Sequence, residues 1–129
     1  MMDIDQVEAG TELDAIIAEQ VMGWVRYDYE KEGTSHREWI ETGTVGKHYH
    51  ACFHPSNDIS TAWDVVIRLA ERGYELGRVG KEFGEGFYLA QFFHGRTYGQ
   101  ACPHARGMTA PLAICRAAWK AVQNPVVKR

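Results

Sequence analysis

Three segments of the chain carry apolar residues at helical spacing, and each is followed by a residue that ends helices. They predict helices at residues 8–22, 56–72 and 109–124. A glycine follows each of the first two segments, where it can take up the positive φ of a helix C-terminus, and a proline follows the third. The second segment opens with serine, asparagine and aspartate, all of which cap helix starts.

The stretches between these helices predict strands and loops. Strands are predicted at residues 24–29, 39–40, 74–79 and 87–93, where apolar and β-prone residues alternate or cluster. Residues 31–37 predict a turn or loop around Gly33, and residues 94–107 predict a loop with room for one more short strand. Residues 47–55 show no periodicity. The order is helix, one or two strands, helix, two strands, helix, which indicates the α+β class.

Size and charge limit the classes of function. A chain of 129 residues predicts a single domain spanning residues 1–129. The formal net charge is −3 and no basic cluster is present, which argues against nucleic acid as a partner. The acidic start has no signal-peptide pattern, and no apolar run reaches the length of about 18 residues that spans a membrane. Three cysteines form no disulfide framework, so a reduced, cytoplasmic protein is predicted.

The three helical segments also carry a family resemblance. The stretches ELDAIIAEQVMGW (residues 12–24), SNDISTAWDVV (56–66) and TAPLAICRAA (109–118) resemble the phage ABA sandwich domain family. The resemblance implies a small α/β/α sandwich, with an antiparallel sheet of about four strands and helices on both faces, in a bacteriophage or prophage protein. It implies no particular activity. Residues 29–54 and 94–107 depart from the family pattern, so the specific function is expected there.

The loop after the last long strand suggests a ligand. The segment FFHGRTYG (residues 92–99) combines aromatic rings that can stack on a base, an arginine for phosphate, and glycines for close approach. The predicted ligand-binding residues are Trp24, Arg26, Phe93, His94, Arg96 and Tyr98. Ordinary turn chemistry explains the same composition. The leading hypothesis is a non-enzymatic binder of a small nucleotide-type ligand, which sequesters an immune signal of the host and so counters its anti-phage defence.

A cluster of histidines suggests a second hypothesis, a zinc site. In an extended segment, alternate residues share one face, and these are His48, His50, Cys52 and His54. One strand cannot enclose an ion, so Cys102 or His104 would have to complete the site. No C-x-x-C pair is present, and solvent-facing polar residues are the simpler interpretation. No cofactor is therefore expected, with zinc as the alternative.

A third hypothesis is a protein–protein interaction module that inhibits a host protein through exposed aromatic residues, with a homo-oligomer also possible. Pairs of cysteine and histidine are too common in such a chain to indicate catalysis. Trp63 and Trp119 lie on apolar stripes and are predicted to belong to the core. Cys115 is predicted to be an inert, buried thiol. Arg116 is either a solvated charge or an anion clamp, and the solvated interpretation is favoured.

Overall fold

The computed structural model describes residues 3–43, 46–81, 86–94 and 102–123. After a short 3-10 helix at Ile4–Gln6, three helices and six strands follow. The helices are α1 (Thr11–Gln20), α2 (Ile59–Glu71) and α3 (Ala110–Gln123). The strands are β1 (Val25–Lys31), β2 (Thr34–Gly43), β3 (Gly46–His50), β4 (Tyr74–Lys81), β5 (Tyr88–His94) and β6 (His104–Gly107). Among the described residues, no helix is both long and apolar enough to cross a membrane.

The strands form two antiparallel sheets of three strands each, in the orders β1-β2-β3 and β4-β5-β6. Together with the three helices they make an α+β sandwich, which confirms the predicted class, although six strands are present where about four were predicted. The extra pairing is in the first sheet. The turn or loop predicted at residues 31–37 is confined to Glu32 and Gly33, because β1 ends at Lys31 and β2 already begins at Thr34. The unpatterned residues 47–50 belong to β3, and the short strand allowed for within residues 94–107 is β6.

Only part of the first sheet was predicted, as strands at residues 24–29 and 39–40. β1 and β3 are accessible to solvent over most of their length, and β3 shows no apolar/polar alternation in the sequence. The turn from β1 to β2 consists of Glu32 and Gly33, with φ of 54° and 78°. Positive φ at both central residues is the geometry that joins two strands through a two-residue turn. Gly33 was therefore the signal for a hairpin rather than for a loop.

The three helices have the predicted locations with small shifts at their ends. α1 is shorter than residues 8–22, and Gly10, not Thr11, is its N-cap. Gly23 has φ of 74°, as predicted for the residue after the helix. At α2 the cap is Asp58, whose carboxylate accepts hydrogen bonds from the Ser60 amide at 3.1 Å and the Thr61 hydroxyl at 2.8 Å.

The core is organised around α3. Nearly every residue from Leu112 to Ala118 is buried, because α3 packs against all three strands of the second sheet and against α1 and α2. Trp119 packs at the edge of this core, as predicted. Cys115 is fully buried, and this burial, followed by the nearby charge of Asp14, raises the pKa of its thiol well above the usual value. The thiol therefore stays protonated and inert.

Trp63 does not belong to the core. Its side chain is 50% exposed on α2, where the buried residues are Ala62, Val65, Val66 and Leu69. The apolar stripe predicted for α2 contained more residues than the buried face of the helix does. Two further apolar residues of the helix, Ile59 and Ile67, are exposed beside it.

A buried polar contact ties α1 to the segment that leads into α2. The Asp14 carboxylate accepts hydrogen bonds from the Ser56 amide at 2.9 Å and the Ser56 hydroxyl at 2.7 Å. The same hydroxyl oxygen accepts a hydrogen bond from the Gly10 amide at 2.9 Å. His54 lies 3.5 Å from the second carboxylate oxygen, at the surface. Oδ1 of Asp14 is thus hydrogen-bonded, whereas the buried Oδ2 has no hydrogen-bond partner among the described residues. The Ser56 contacts fix the course of the chain between β3 and α2.

Candidate functional site

A pocket of about 390 Å³ lies between β6, α3 and the first 3-10 helix, and we call it the basic pocket. Its lining residues are Asp5, His104, Ala105, Arg106, Arg116 and Lys120. Three permanent cations face one carboxylate there, whereas the chain as a whole carries a net charge of −3. The pocket is therefore a local concentration of positive charge on an acidic protein.

Arg116 is the unusual member of this pocket, because it is a charged side chain that is only 8% exposed. Its guanidinium donates to the Val7 carbonyl through Nε at 3.3 Å and Nη2 at 2.9 Å, and to the Arg106 carbonyl through Nη1 at 2.8 Å. The favoured prediction of a solvated Arg116 is thus wrong. α3 is enclosed on several sides, and the arginine lies where the helix faces β6 and the segment that follows the 3-10 helix.

The charge of Arg116 is not balanced by a carboxylate among the described residues. Its three hydrogen bonds go to backbone carbonyls, which satisfy N–H groups but carry no net charge. A guanidinium has five N–H donors, so two remain beyond those three bonds. Arg116 can therefore hold an anion in the pocket without giving up the contacts that position it.

The other two cations lie at the rim of the pocket. Lys120 donates to the Asp5 carboxylate at 2.9 Å and to the His104 carbonyl at 3.2 Å. Arg106 is exposed, and its guanidinium carbon lies 4.9 Å from the centre of the Phe87 ring. This ring holds the arginine through a cation–π contact while its N–H groups stay accessible. Arg106 can thus reach a bound anion directly, whereas Lys120 must exchange its contact with Asp5 to do so.

A second opening of about 360 Å³ lies between α2 and the first sheet, and we call it the acidic cleft. Its lining residues are Met22, Trp24, Glu41, His50, Cys52, Phe53, Thr61, Asp64, Ile67, Arg68 and Glu71. Three carboxylates face one guanidinium, so its charge is opposite to that of the basic pocket. The two sites therefore select ligands of opposite sign.

Aromatic packing forms one wall of the acidic cleft. The Trp24 indole stacks on the His50 imidazole, with ring centres 4.0 Å apart and planes 4° from parallel, and its other neighbour is Phe53 at 4.7 Å. Nε2 of His50 lies 2.9 Å from a carboxylate oxygen of Glu41. These contacts leave Trp24 only 8% exposed. The indole ring of Trp24 therefore mainly packs the first sheet against the core.

The sequence-predicted ligand residues are distributed over both sheets. Arg26 lies on β1, where its Nε is 3.2 Å from the carboxylate of Asp28. Phe93 and His94 lie on β5 of the second sheet, and His94 packs against Tyr74 with ring centres 4.7 Å apart. The predicted residues Arg96 and Tyr98 lie outside the described residues. The basic pocket adds Arg106 and Lys120, which the sequence analysis did not select, and Arg116, for which an anion clamp was the less favoured interpretation.

The predicted zinc ligands have separate partners in the structure. β3 ends at His50, so only His48 and His50 share the strand on which the alternation argument rested. His50 is stacked on Trp24, and His54 lies beside Asp14. In the second sheet, a ring nitrogen of His104 lies 3.2 Å from the backbone carbonyl of Cys102. Within the part of the chain that the structure describes, no three histidine, cysteine or acidic residues are grouped as a metal site.

Comparison with known proteins places this fold in a family. The model of the phage ABA sandwich domain matches residues 15–119, which is most of the chain. The chain belongs to the phage ABA sandwich domain family. The resemblance drawn from the three helical segments is thereby confirmed, and the protein is a phage protein.

A solved structure supports the same ABA sandwich fold. It is the 2.0 Å crystal structure of a phage protein from Bacillus cereus ATCC 14579, with a TM-score of 0.59 and 21% sequence identity. The similarity covers 95% of this chain and 96% of that chain. At this identity the likeness concerns the fold of the two ABA sandwich proteins and not their ligands. None of the curated proteins is similar to the chain.

Sequence reasoning missed the basic pocket because its cations are not adjacent in the sequence and are brought together by the packing of β6 against α3. Arg106 lies on β6 and Lys120 near the end of α3, and neither stands in a run of basic residues. The available signal was Arg116, a lone charge among the apolar residues of the third helical segment. A charge in that position must either reach solvent or be satisfied inside the protein.

Proposed function

We propose that this ABA sandwich protein is a non-enzymatic binder of a small nucleotide-type ligand whose phosphate occupies the basic pocket. The observation that supports the proposal is Arg116, a buried guanidinium that has no carboxylate partner among the described residues. Arginine is the residue best suited to phosphate, because its planar N–H groups match two phosphate oxygens. Arg106 and Lys120 add two further cations at the rim.

The proposal assigns the base of the nucleotide to the ligand segment predicted from the sequence. β5 and β6 pair antiparallel, with Gln91 opposite His104, and His104 lines the basic pocket. Arg96 and Tyr98 stand between these two strands in the sequence. In the proposal, the pocket binds the phosphate and the aromatic residues of the loop stack on the base. Trp24 and Arg26, which lie in the first sheet, are not needed for this mode of binding.

The phage origin of the family suggests a biological role for nucleotide binding. A protein that binds a nucleotide without converting it lowers the free concentration of that nucleotide by mass action. In an infected cell, we propose, the ligand is a signalling nucleotide of the host defence, and sequestration weakens the defence. The binding claim and the defence claim are separate, and the binding claim is tested first.

Thermal unfolding with added ligands tests the binding claim. We expect at least one of AMP, GMP, CMP and UMP to raise the midpoint of unfolding by about 4–6 °C at ten times its dissociation constant. The matching nucleoside should have a much smaller effect, because it lacks the phosphate. Inorganic phosphate should give a shift of intermediate size.

Variants at the rim locate the site without disturbing the core. Arg106→Ala and Lys120→Ala should each reduce the nucleotide-induced shift, and Arg96→Ala should reduce it if the loop contacts the base. The control is Arg37→Ala, which removes an exposed arginine of the first sheet whose Nε is 3.1 Å from Asp28. The proposal is wrong if no nucleotide raises the midpoint, or if the Arg106→Ala/Lys120→Ala double variant responds like the wild type.

A further inference from the structure

A row of large apolar side chains lies exposed on α2. Ile59, Trp63 and Ile67 are 52%, 50% and 51% exposed, and they follow one another at intervals of four residues. Residues spaced in this way lie on the same face of a helix, so the three side chains form one continuous strip. We call this strip the α2 ridge. A contiguous apolar strip on a surface that is otherwise polar marks a site of contact with another molecule.

The α2 ridge borders the acidic cleft. Ile67 belongs to both, and the carboxylates of Asp64 and Glu71 stand on the same helix at the cleft side of the ridge. Glu41 adds a third carboxylate from β2. The only cation in the lining is Arg68, whose Nε is buried and has no hydrogen-bond partner among the described residues. An apolar strip beside an acidic cleft is thus one composite surface.

We infer that the α2 ridge and the acidic cleft together form a docking surface for a basic amphipathic helix of another protein. Aliphatic side chains of the partner helix pack on Ile59, Trp63 and Ile67. The lysine or arginine side chains of the partner helix pair with Glu41, Asp64 and Glu71. Charge complementarity selects a basic partner, since an acidic one would face three carboxylates. The ridge spans about 12 Å, which matches two turns of a helix that binds through anchors at i and i+4.

This surface is separate from the basic pocket. The pocket is formed by β6, α3 and the first residues, whereas the docking surface is formed by α2 and the first sheet. Nucleotide binding and helix docking can therefore be removed independently. The inference goes beyond the proposed function and does not depend on it.

A designed peptide tests the docking surface directly. The probe is a fluorescein-labelled 14-residue helix of leucine and lysine with one apolar face, and its counterpart carries glutamate in place of lysine. Fluorescence anisotropy with the full chain should give a dissociation constant on the order of 10 µM for the lysine peptide. The glutamate peptide should bind at least ten-fold more weakly.

Matched variants distinguish binding of the peptide at the docking surface from general electrostatic attraction between a basic peptide and an acidic protein. Trp63→Ala should weaken binding of the lysine peptide about ten-fold, as should the double variant Asp64→Asn/Glu71→Gln. Met108→Ala removes another strongly exposed apolar side chain, and Glu75→Gln removes an exposed carboxylate of β4, so both should bind like the wild type. All five positions are exposed, and far-UV circular dichroism confirms that each variant is folded.

Two results would overturn the inference. One is equal binding of the lysine peptide to Trp63→Ala and Met108→Ala, which would mean that the ridge is not the site. The other is a wild-type dimer in analytical ultracentrifugation that dissociates in Trp63→Ala. In that case a second copy of the chain covers the ridge, and no other partner is required.

Discussion

Replacing Arg116 with alanine lowers the free energy of unfolding by about 2–4 kcal/mol, the largest loss we expect from any single charge in this protein. The substitution removes three hydrogen bonds from a charged donor and leaves the Val7 and Arg106 carbonyls without a protein partner. It also removes the packing of the side-chain stem. The desolvation cost of a buried cation is relieved at the same time, so the net loss is smaller than the sum of these contributions. Urea unfolding followed by circular dichroism measures the difference.

Arg116→Lys is the matched control for this prediction. Lysine keeps the positive charge, but its compact ammonium group cannot span the Val7 and Arg106 carbonyls as the planar guanidinium does. We expect a loss of about half that of the alanine variant. A change of less than about 0.5 kcal/mol for Arg116→Ala would show that the guanidinium does not hold the 3-10 helix, β6 and α3 together.

Gly107→Ala should destabilise the protein by about 2–3 kcal/mol, because β6 approaches α3 too closely for a side chain. A Cβ atom at Gly107 would lie 2.8 Å from the Ala113 amide nitrogen and 2.9 Å from Cγ of Leu112. One of these contacts is with the helix backbone, which cannot rotate away, so β6 and α3 must separate. The same movement would displace the Arg106 carbonyl from Arg116, and the variant should also lose affinity for nucleotides.

Gly80→Ala provides the control for the second prediction. Gly80 is also a strand glycine, but a Cβ atom there would meet nothing within 4 Å. Its free energy of unfolding should therefore stay within about 0.5 kcal/mol of the wild type. If Gly107→Ala is equally mild, then the contact between β6 and α3 is looser than the structure shows, and the walls of the basic pocket are not rigid.

The helices could be predicted from the sequence because each combines a periodic apolar face with a terminal residue that has one clear role. Asp58 caps α2 and Gly23 follows α1 with positive φ, as their positions indicated. The first sheet could be predicted only in part, because β1 alternates apolar and polar residues whereas β3 and the first half of β2 do not. These segments are exposed, and an exposed strand has no buried face to impose an alternating pattern.

The candidate sites illustrate a second limit of the sequence. Trp63 looked like a core residue because periodicity shows which residues share a face and not which face is covered. Arg116 looked like a surface charge because most arginines are exposed, and its partners are contributed by residues 10 and 109 positions away. Both errors concern tertiary contacts, which local patterns do not contain.

The separation of charge explains why composition was a poor guide to ligands. A net charge of −3 argued against nucleic acid as a partner, yet the cations of the basic pocket and the carboxylates of the acidic cleft lie on different elements. Binding depends on the local field and not on the total charge. One small protein can therefore present surfaces for an anionic ligand and for a basic partner.

The central claim is that a phosphate group binds beside Arg116, and the Nε–H signals of the arginines in a ¹⁵N-labelled sample test it most directly. On titration with the nucleotide that raises the unfolding midpoint most, the account predicts saturable shifts of the Arg106 and Arg116 signals, with those of Arg26 and Arg37 unchanged. Assignment follows from the single variants Arg26→Lys, Arg37→Lys, Arg106→Lys and Arg116→Lys, each of which removes one signal. Unchanged Arg106 and Arg116 signals at saturating nucleotide, or equal shifts of all arginine signals, would contradict the account.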